Sequence, residues 1–369
     1  PEIENNGNFD GSWTERAFIG LMETSDPASN IWEDKGFVVC SASDKGKTDY
    51  GRSSINNWEG YFKINAIDPT YIITENGEHW LIYGSWHSGI AALQVNPEDG
   101  KPLNTLGNPW DITGEDNSGY GKIIATRGTS RWQASEGPEV IYRDGYYYLF
   151  LAYGSLSVEY NTRVCRSRNI DGPYVDIHGN SAMGSAQLYP ILTAPYRFDN
   201  SYGWVGISHC GIFDDGAGNW FYTSQGRFPV NVGGNEYSNA IMMGHVRSIR
   251  WDANGWPLVM PERYGAVPQA PITENEIAGD WEHLALTNST GTQRTSETMT
   301  YDLGTHKITS GSWKNATWTF DAATQTITTS AGVVLYLQRE VDWEASPRTH
   351  TIVYAAQGNQ KTYWGKKLQ

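Results

Sequence analysis

The run Ser135-Glu136-Gly137-Pro138-Glu139-Val140-Ile141-Tyr142-Arg143-Asp144-Gly145-Tyr146-Tyr147-Tyr148-Leu149-Phe150-Leu151-Ala152-Tyr153 decides the fold class. It reads as a short strand, an Asp-Gly turn and an aromatic strand, and a two-residue Asx-Gly loop between such strands is a strong hairpin signal. The same order occurs at Asn65-Ala66-Ile67-Asp68-Pro69-Thr70-Tyr71-Ile72-Ile73, with turn Glu75-Asn76-Gly77-Glu78 and strand His79-Trp80-Leu81-Ile82-Tyr83. A weaker copy runs Ser208-His209-Cys210-Gly211-Ile212-Phe213, then Asp214 to Asn219, then Trp220-Phe221-Tyr222-Thr223-Ser224. The leading residues Asp68, Glu136 and His209 stand 68 and 73 residues apart. That period holds one four-stranded sheet and long loops per repeat, which is the pattern of a β-propeller. Each leading residue starts the innermost strand of its sheet, so the three are expected to converge on one axis.

Working outward, residues 16–24 and 36–41 read as two strands with Trp32-Glu33-Asp34 between them and no leading hairpin, the outer half of a sheet whose inner half is missing. After Trp256-Pro257 the register stops, and Pro261, Pro268 and Pro271 mark a linker. From Ile272 the chain turns to Thr-rich alternating strands such as Ala316-Thr317-Trp318-Thr319-Phe320. The chain of 369 residues exceeds the roughly 250–300 at which single cores stop growing. The expectation is an all-β chain with a propeller over 1–262 and a small β-barrel or β-sandwich over 272–369.

Composition narrows the partners. Forty Gly, 16 Trp and 22 Tyr against 18% charged residues suit tight turns and aromatic-lined clefts, and flat rings with a polar edge suit sugars. A net charge of −14 argues against nucleic acid, which is bound by clustered Lys and Arg. No apolar run approaches the roughly 20 residues of a membrane-spanning helix. The chain starts at Pro1 rather than Met, from which a segment upstream is expected. Three cysteines, Cys40, Cys165 and Cys210, have neither metal-site spacing nor the density of a disulfide framework.

Glycosidic bond hydrolysis needs one carboxyl that protonates the leaving oxygen and one carboxylate that activates water or attacks the sugar. Glu136, before Gly137-Pro138, and Asp68, before Pro69, occupy equivalent repeat positions, which brings two carboxyls together. His209 is the third residue of the set, and alone it holds a metal only with the help of waters or further ligands. Sugar contacts are expected from residues where strands leave the axis: Ile67, Trp86, His87 and Ser88, then Tyr160 and Arg163, then Gln225 and Arg227.

The strings Asn65-Ala66-Ile67-Asp68-Pro69, Gly84-Ser85-Trp86-His87-Ser88-Gly89-Ile90, Glu136-Gly137-Pro138 and Arg166-Ser167-Arg168-Asn169-Ile170-Asp171-Gly172-Pro173-Tyr174 together resemble the arabinanases of glycoside hydrolase family 43. The resemblance covers about Ala17 to Pro257, and the tail ending Tyr363-Trp364-Gly365-Lys366-Lys367 is similar to the accessory β domain of longer members. It implies five blades and an inverting mechanism, with Glu136 as general acid and Asp68 as the residue that orients it and tunes its protonation. It further implies that His209 belongs to a hydrated metal site, usually calcium. The family's general base is an Asp in a His-Asp-Pro-like string of the first blade, and no such string precedes Asp68. The base, the first blade and part of the second are therefore expected from a separate N-terminal polypeptide, since an open propeller would expose unpaired sheet edges. The resemblance implies action on α-1,5-linked arabinan or arabino-oligosaccharides outside the cell, at its surface or in the periplasm. An α-L-arabinofuranosidase or β-xylosidase of the same fold, to be told apart by the loops near Trp58 and Tyr160, and a non-catalytic arabinan-binding protein remain open at this point.

Overall fold

A computed structural model describes residues 17–41, 64–86, 89–106, 118–127, 135–184, 187–198 and 201–369. The chain divides into two compact units, Pro1–Leu151 with Cys165–Ala186, and Ala152–Val164 with Gln187–Gln369. The helical elements are single turns, and no described helix is long and apolar enough to cross a membrane.

The first unit opens with β1 (Phe18–Glu23) and β2 (Glu33–Cys40), paired antiparallel with register shifts around Gly20. The second strand starts three residues before the expected Gly36, because the charged stretch is held in the ladder. Lys35 reaches Glu23 at 3.3 Å and Glu33 at 2.7 Å, and Asp34 Oδ1 accepts the Gly36 N–H at 2.8 Å. The turn falls instead at Pro27–Ser29, where Asp26 accepts the Ala28 N–H. Arg16 and Trp58 lie outside the described residues.

Next come β3 (Thr70–Ile73), β4 (His79–Tyr83), β5 (Ile90–Val95) and β6 (Lys122–Ala125), a four-stranded antiparallel sheet in chain order. The hairpin read from Asn76-Gly77 is present, with Gly77 at φ 76 and its N–H donated to the Thr74 carbonyl. Tyr83, Ala91, Leu93 and Val95 pack with Val38, Val39, Ile64 and Ala66 in one core.

A second four-stranded sheet follows the same order, β7 (Ser135–Arg143), β8 (Tyr146–Tyr153), β9 (Asn161–Ser167) and β10 (Ile191–Thr193). Asp144 and Gly145 carry the positive φ of 50 and 80 that a tight two-residue hairpin turn demands. The aromatic run of β8 is buried from Tyr147 onward, as a strand covered on both faces must be.

In the second unit β11 (Tyr196–Arg197) is a short edge segment, and β12 (Gly211–Asp214), β13 (Trp220–Arg227), β14 (Met242–Trp251) and β15 (Pro257–Val259) form the third four-stranded sheet. The three expected hairpins are thus all present.

The C-terminal region holds β16 (Gly279–Leu286), β17 (Arg294–Thr295), β18 (Glu297–Asp302), β19 (Lys307–Ile308), β20 (Trp318–Asp321), β21 (Thr326–Thr329), β22 (Val334–Asp342), β23 (Thr349–Gly358) and β24 (Lys361–Lys367). All but β17, which pairs with β11, join one eight-stranded sheet ordered β19-β18-β16-β24-β23-β22-β21-β20. Its two edges meet: Lys307 bridges Thr317, and the Trp318 N–H donates to the His306 carbonyl at 2.9 Å. The sheet therefore closes into a barrel, which leaves no open edge to protect. Along β23 the faces alternate strictly. Ile352, Tyr354 and Ala356 fill the barrel with Trp281, Met299 and Trp318, while Val353 and Ala355 join Ile191, Trp204, Leu258 and Trp364 in a second core outside it. The proline-marked stretch is a docked strap, since Tyr264 donates its N–H to Val246 and Gly265 to Glu340 Oε1.

Candidate active site

The carboxyl group of Glu136 sits at the start of β7, half-buried. Its Oε2 accepts the Ser85 hydroxyl at 3.1 Å and the Trp86 indole N–H at 2.6 Å. The loop after β4 delivers both donors. Gly84 (φ 127) lies so close to the returning chain that a Cβ there would stand 2.4 Å from the Gly89 carbonyl, so only glycine fits. Trp86 takes the left-handed region at φ 57, donates its N–H to the Ser135 carbonyl at 2.9 Å, and accepts the Gly89 N–H on its own carbonyl at 2.9 Å. The loop is thereby fastened to the residue that precedes Glu136. His87 and Ser88 lie outside the described residues.

Asp68 approaches from the start of β3. Its Oδ2 accepts the Gly137 N–H at 3.2 Å, and Gly137 itself stands at φ 55. Asp68 also adopts the left-handed region, at φ 54, immediately before Pro69. A non-glycine residue there is uncommon, and strain of this kind persists where surrounding structure holds it. Asp68 thus grips the peptide that follows the acid while Ser85 and Trp86 grip the acid itself. Ile67, half-buried beside it, accepts the Gly84 N–H on its carbonyl at 3.0 Å and so ties this strand entrance to the same loop.

In the second unit His209 is exposed, at φ 57, and its Nδ1 lies 3.1 Å from the Tyr160 hydroxyl. Beneath it a buried hydroxyl network links Ser208 to Thr162 at 2.8 Å and Thr162 to the Tyr222 hydroxyl at 2.7 Å. A single histidine supplies at most one inner ligand, so the residues present fit a mostly hydrated cation. Among the described residues the group of three candidate ligands within 4.8 Å of one another is elsewhere, Glu262, Asp342 and Glu344.

The other residues expected to contact sugar bond to groups of the protein itself. Tyr160 is 1% exposed and its hydroxyl faces His209. Arg163 is 1% exposed, with its guanidinium donating to Asn161 Oδ1, the Leu188 carbonyl and Asn288 Oδ1. Burial and these three acceptors tie Arg163 to the loops around Leu188 and Asn288. Arg227 is half-buried and donates to the Asn239 carbonyl at 3.0 Å, holding the loop before β14, and Gln225 donates to the Gly206 carbonyl at 3.3 Å. Ser85, which residue-type reasoning passed over, is a further side chain bonded to the Glu136 carboxyl. Its signal was available, a small polar residue between the pinching Gly84 and the Trp86 that reaches the acid.

Residues 21–257 match the model of glycosyl hydrolases family 43, and residues 261–365 match a C-terminal lipocalin-like domain found with that family. Over 240 residues the chain is 30% identical to the extracellular endo-alpha-(1->5)-L-arabinanase 2 of Bacillus subtilis, and over 239 residues 30% identical to the extracellular endo-alpha-(1->5)-L-arabinanase of Thermotoga petrophila. These alignments take in 59% and 60% of this chain and 46% of each relative, so the chain spans about half the length of the relatives it matches. A solved family 43 YxiA protein from Bacillus licheniformis superposes with TM-score 0.76 over 96% of this chain and 80% of that chain, at 24% identity. The Thermotoga petrophila endo-1,5-alpha-L-arabinanase does so with TM-score 0.74, over 95% and 77%, also at 24% identity. The fold is shared with both, and the match over 21–257 places the chain in glycosyl hydrolase family 43.

Proposed function

We propose that this chain is the larger part of an extracellular glycoside hydrolase that cleaves α-1,5-linked L-arabinofuranosyl bonds of arabinan with inversion. The observation that carries the reading is the Glu136 carboxyl, anchored through one oxygen by two neutral donors and steadied by Asp68 through Gly137. In a family 43 chain whose relatives are named extracellular endo-arabinanases, that group is suited to protonate the leaving oxygen. Asp68 fixes its backbone and places a second negative charge nearby.

In this reading the three four-stranded sheets and the β1–β2 pair are blades of a five-bladed propeller. The first blade and the inner strands of the second come from a separate N-terminal polypeptide, which also brings the general base. Inversion requires that base about 6.5–9.5 Å from the acid, with room for one water. His209 would be the protein ligand of a hydrated calcium ion, which would supply fixed positive charge.

The test is product analysis on linear arabinan by anion-exchange chromatography, alongside intact mass of the protein. Arabino-oligosaccharides from the wild type, and none from Glu136→Gln, are the expected result. Activity from a single 41.1 kDa chain would sink the two-polypeptide part of the reading. An exo mode has one observation in its favour, 25% identity over 257 residues to an extracellular exo-alpha-(1->5)-L-arabinofuranosidase of Cellvibrio japonicus. Short products of a single size from the first minutes of reaction would select it. Cleavage of aryl glycosides alone would point to an arabinofuranosidase or β-xylosidase, and binding without products to a non-catalytic arabinan-binding protein.

A further inference from the structure

Trp86 has the appearance of a sugar platform in sequence, yet its polar edge is turned to Glu136. An indole N–H can only donate, so Oε2 at 2.6 Å is held as an acceptor whether or not Glu136 carries a proton. The Ser85 hydroxyl, on a residue with no solvent exposure, donates to the same oxygen at 3.1 Å. We propose that Ser85 and Trp86 are positioning residues that pin Glu136 Oε2 and so leave the transferable proton to Oε1. The inference rests on Glu136 being the general acid.

Three features support it. The loop is over-determined, with Gly84 pressed on Gly89 and the Trp86 N–H bound to the residue before the acid. Trp86 occupies the left-handed region, where a bulky side chain is costly and where such strain marks functional positions. Both donors are neutral and can bond the same oxygen of a carboxyl or of a carboxylate, so their grip on Oε2 does not depend on which form is present. In the reaction the anomeric C–O bond breaks as the leaving oxygen takes the Oε1 proton. The attacking water forms the new C–O bond and gives its proton to the carboxylate base. An acid free to rotate would present either oxygen and lose alignment in most encounters.

Trp86→Phe keeps the ring and deletes the donor. On linear arabinan kcat is expected to fall about 10- to 100-fold with KM nearly unchanged. On 2,4-dinitrophenyl α-L-arabinofuranoside, whose leaving group needs no proton, the rate is expected to change little. Ser85→Ala should follow the same pattern more weakly. A rise in KM with kcat retained means a sugar platform and overturns the proposal. Glu136→Gln serves as the control. If it lacks this dependence on leaving group, the acid assignment fails, and if it shows the dependence while Trp86→Phe does not, the positioning role fails. A readout free of turnover is the Trp86 indole N–H resonance in tryptophan-labelled protein. It is expected to move in Glu136→Ala, and a resonance that stays in place overturns the proposal.

Discussion

Glu136 meets two neutral donors at the mouth of a loop, whereas Glu262, Glu282, Asp342 and Glu344 close around the ammonium group of Lys366. The lysine side chain is 2% exposed, lies 2.8–3.6 Å from the four carboxylates, and stands 4.4 Å from the ring of Phe198. Burial alone would lower the Lys366 pKa, but Glu262 and Glu344 outweigh it and hold it above the usual value. Burial, then the charge of Glu344, pushes the Glu262 carboxyl well above the ordinary range. Three of these acids have the spacing of a metal site, and the lysine occupies the place of the cation. The contrast separates two uses of a carboxylate. The carboxyl proposed to move a proton receives neutral donors on one oxygen, and the carboxylates of the second group are locked to a buried counter-charge.

The largest expected effect lies on the first side. Glu136→Gln should lower turnover on arabinan by about 10²–10⁴-fold, the span typical of a lost general acid, while the denaturation midpoint stays near wild type. Lys366→Met should do the reverse. Removing one partner of a buried ion pair leaves uncompensated charge and costs about 3–5 kcal/mol, read by urea denaturation at pH 7. That loss should shrink on acidification, because burial, then the charge of Glu344, already raises Glu262 above its unfolded value, and the substitution removes the lysine charge that opposes the rise. Its protonated form is favoured at low pH, and stability is lost as pH rises through the raised value. If Lys366→Met abolished activity with the midpoint unchanged, the division between working and structural acids would fail.

The two clusters were also unequally legible in the sequence. Glu136 and Asp68 stood out because each opens a repeat of the same strand-turn-strand pattern, and hairpins of that kind are local. The Lys366 cluster draws on positions 262, 282, 342, 344 and 366, which share no period and meet only because the strap and barrel strands pack. The burial of Arg163 was out of reach for a related reason, since exposure after a hairpin is set by whatever covers it, here Leu188 and Asn288. Barrel closure was equally out of reach, for it depends on Lys307 and Trp318 meeting across strands of unremarkable composition.

Histidine burial sharpens the comparison at intermediate size. His245 is 1% exposed, edge-on to Trp204 with ring centroids 4.3 Å apart, and burial, then Arg247 and Arg263, lower its pKa to about 2. Burial lowers His283 to about 3. Both groups remain neutral in the folded protein while the unfolded chain takes up protons below about pH 6.5. Stability is therefore present above that pH and lost as pH falls toward the folded values, by up to about 1.4 kcal/mol per pH unit for each group. His245→Phe should flatten the dependence of the urea midpoint between pH 6.5 and 4. An unaltered slope would mean that this imidazole is protonated in the fold.

The smallest effect expected is that of Asp68→Asn on stability. Asparagine keeps an oxygen to accept the Gly137 N–H and loses only the charge, so the cost should be about 1 kcal/mol or less. Asp68→Ala removes the acceptor and should cost more, about 1–3 kcal/mol, through the N–H left without its partner. Activity then divides the two duties of Asp68. A role confined to holding the Gly137 peptide leaves Asp68→Asn close to wild type and Asp68→Ala impaired, whereas a role for its charge beside Glu136 impairs both equally. A stability loss from Asp68→Asn as large as that from Lys366→Met would place Asp68 among the structural acids and remove it from the working pair.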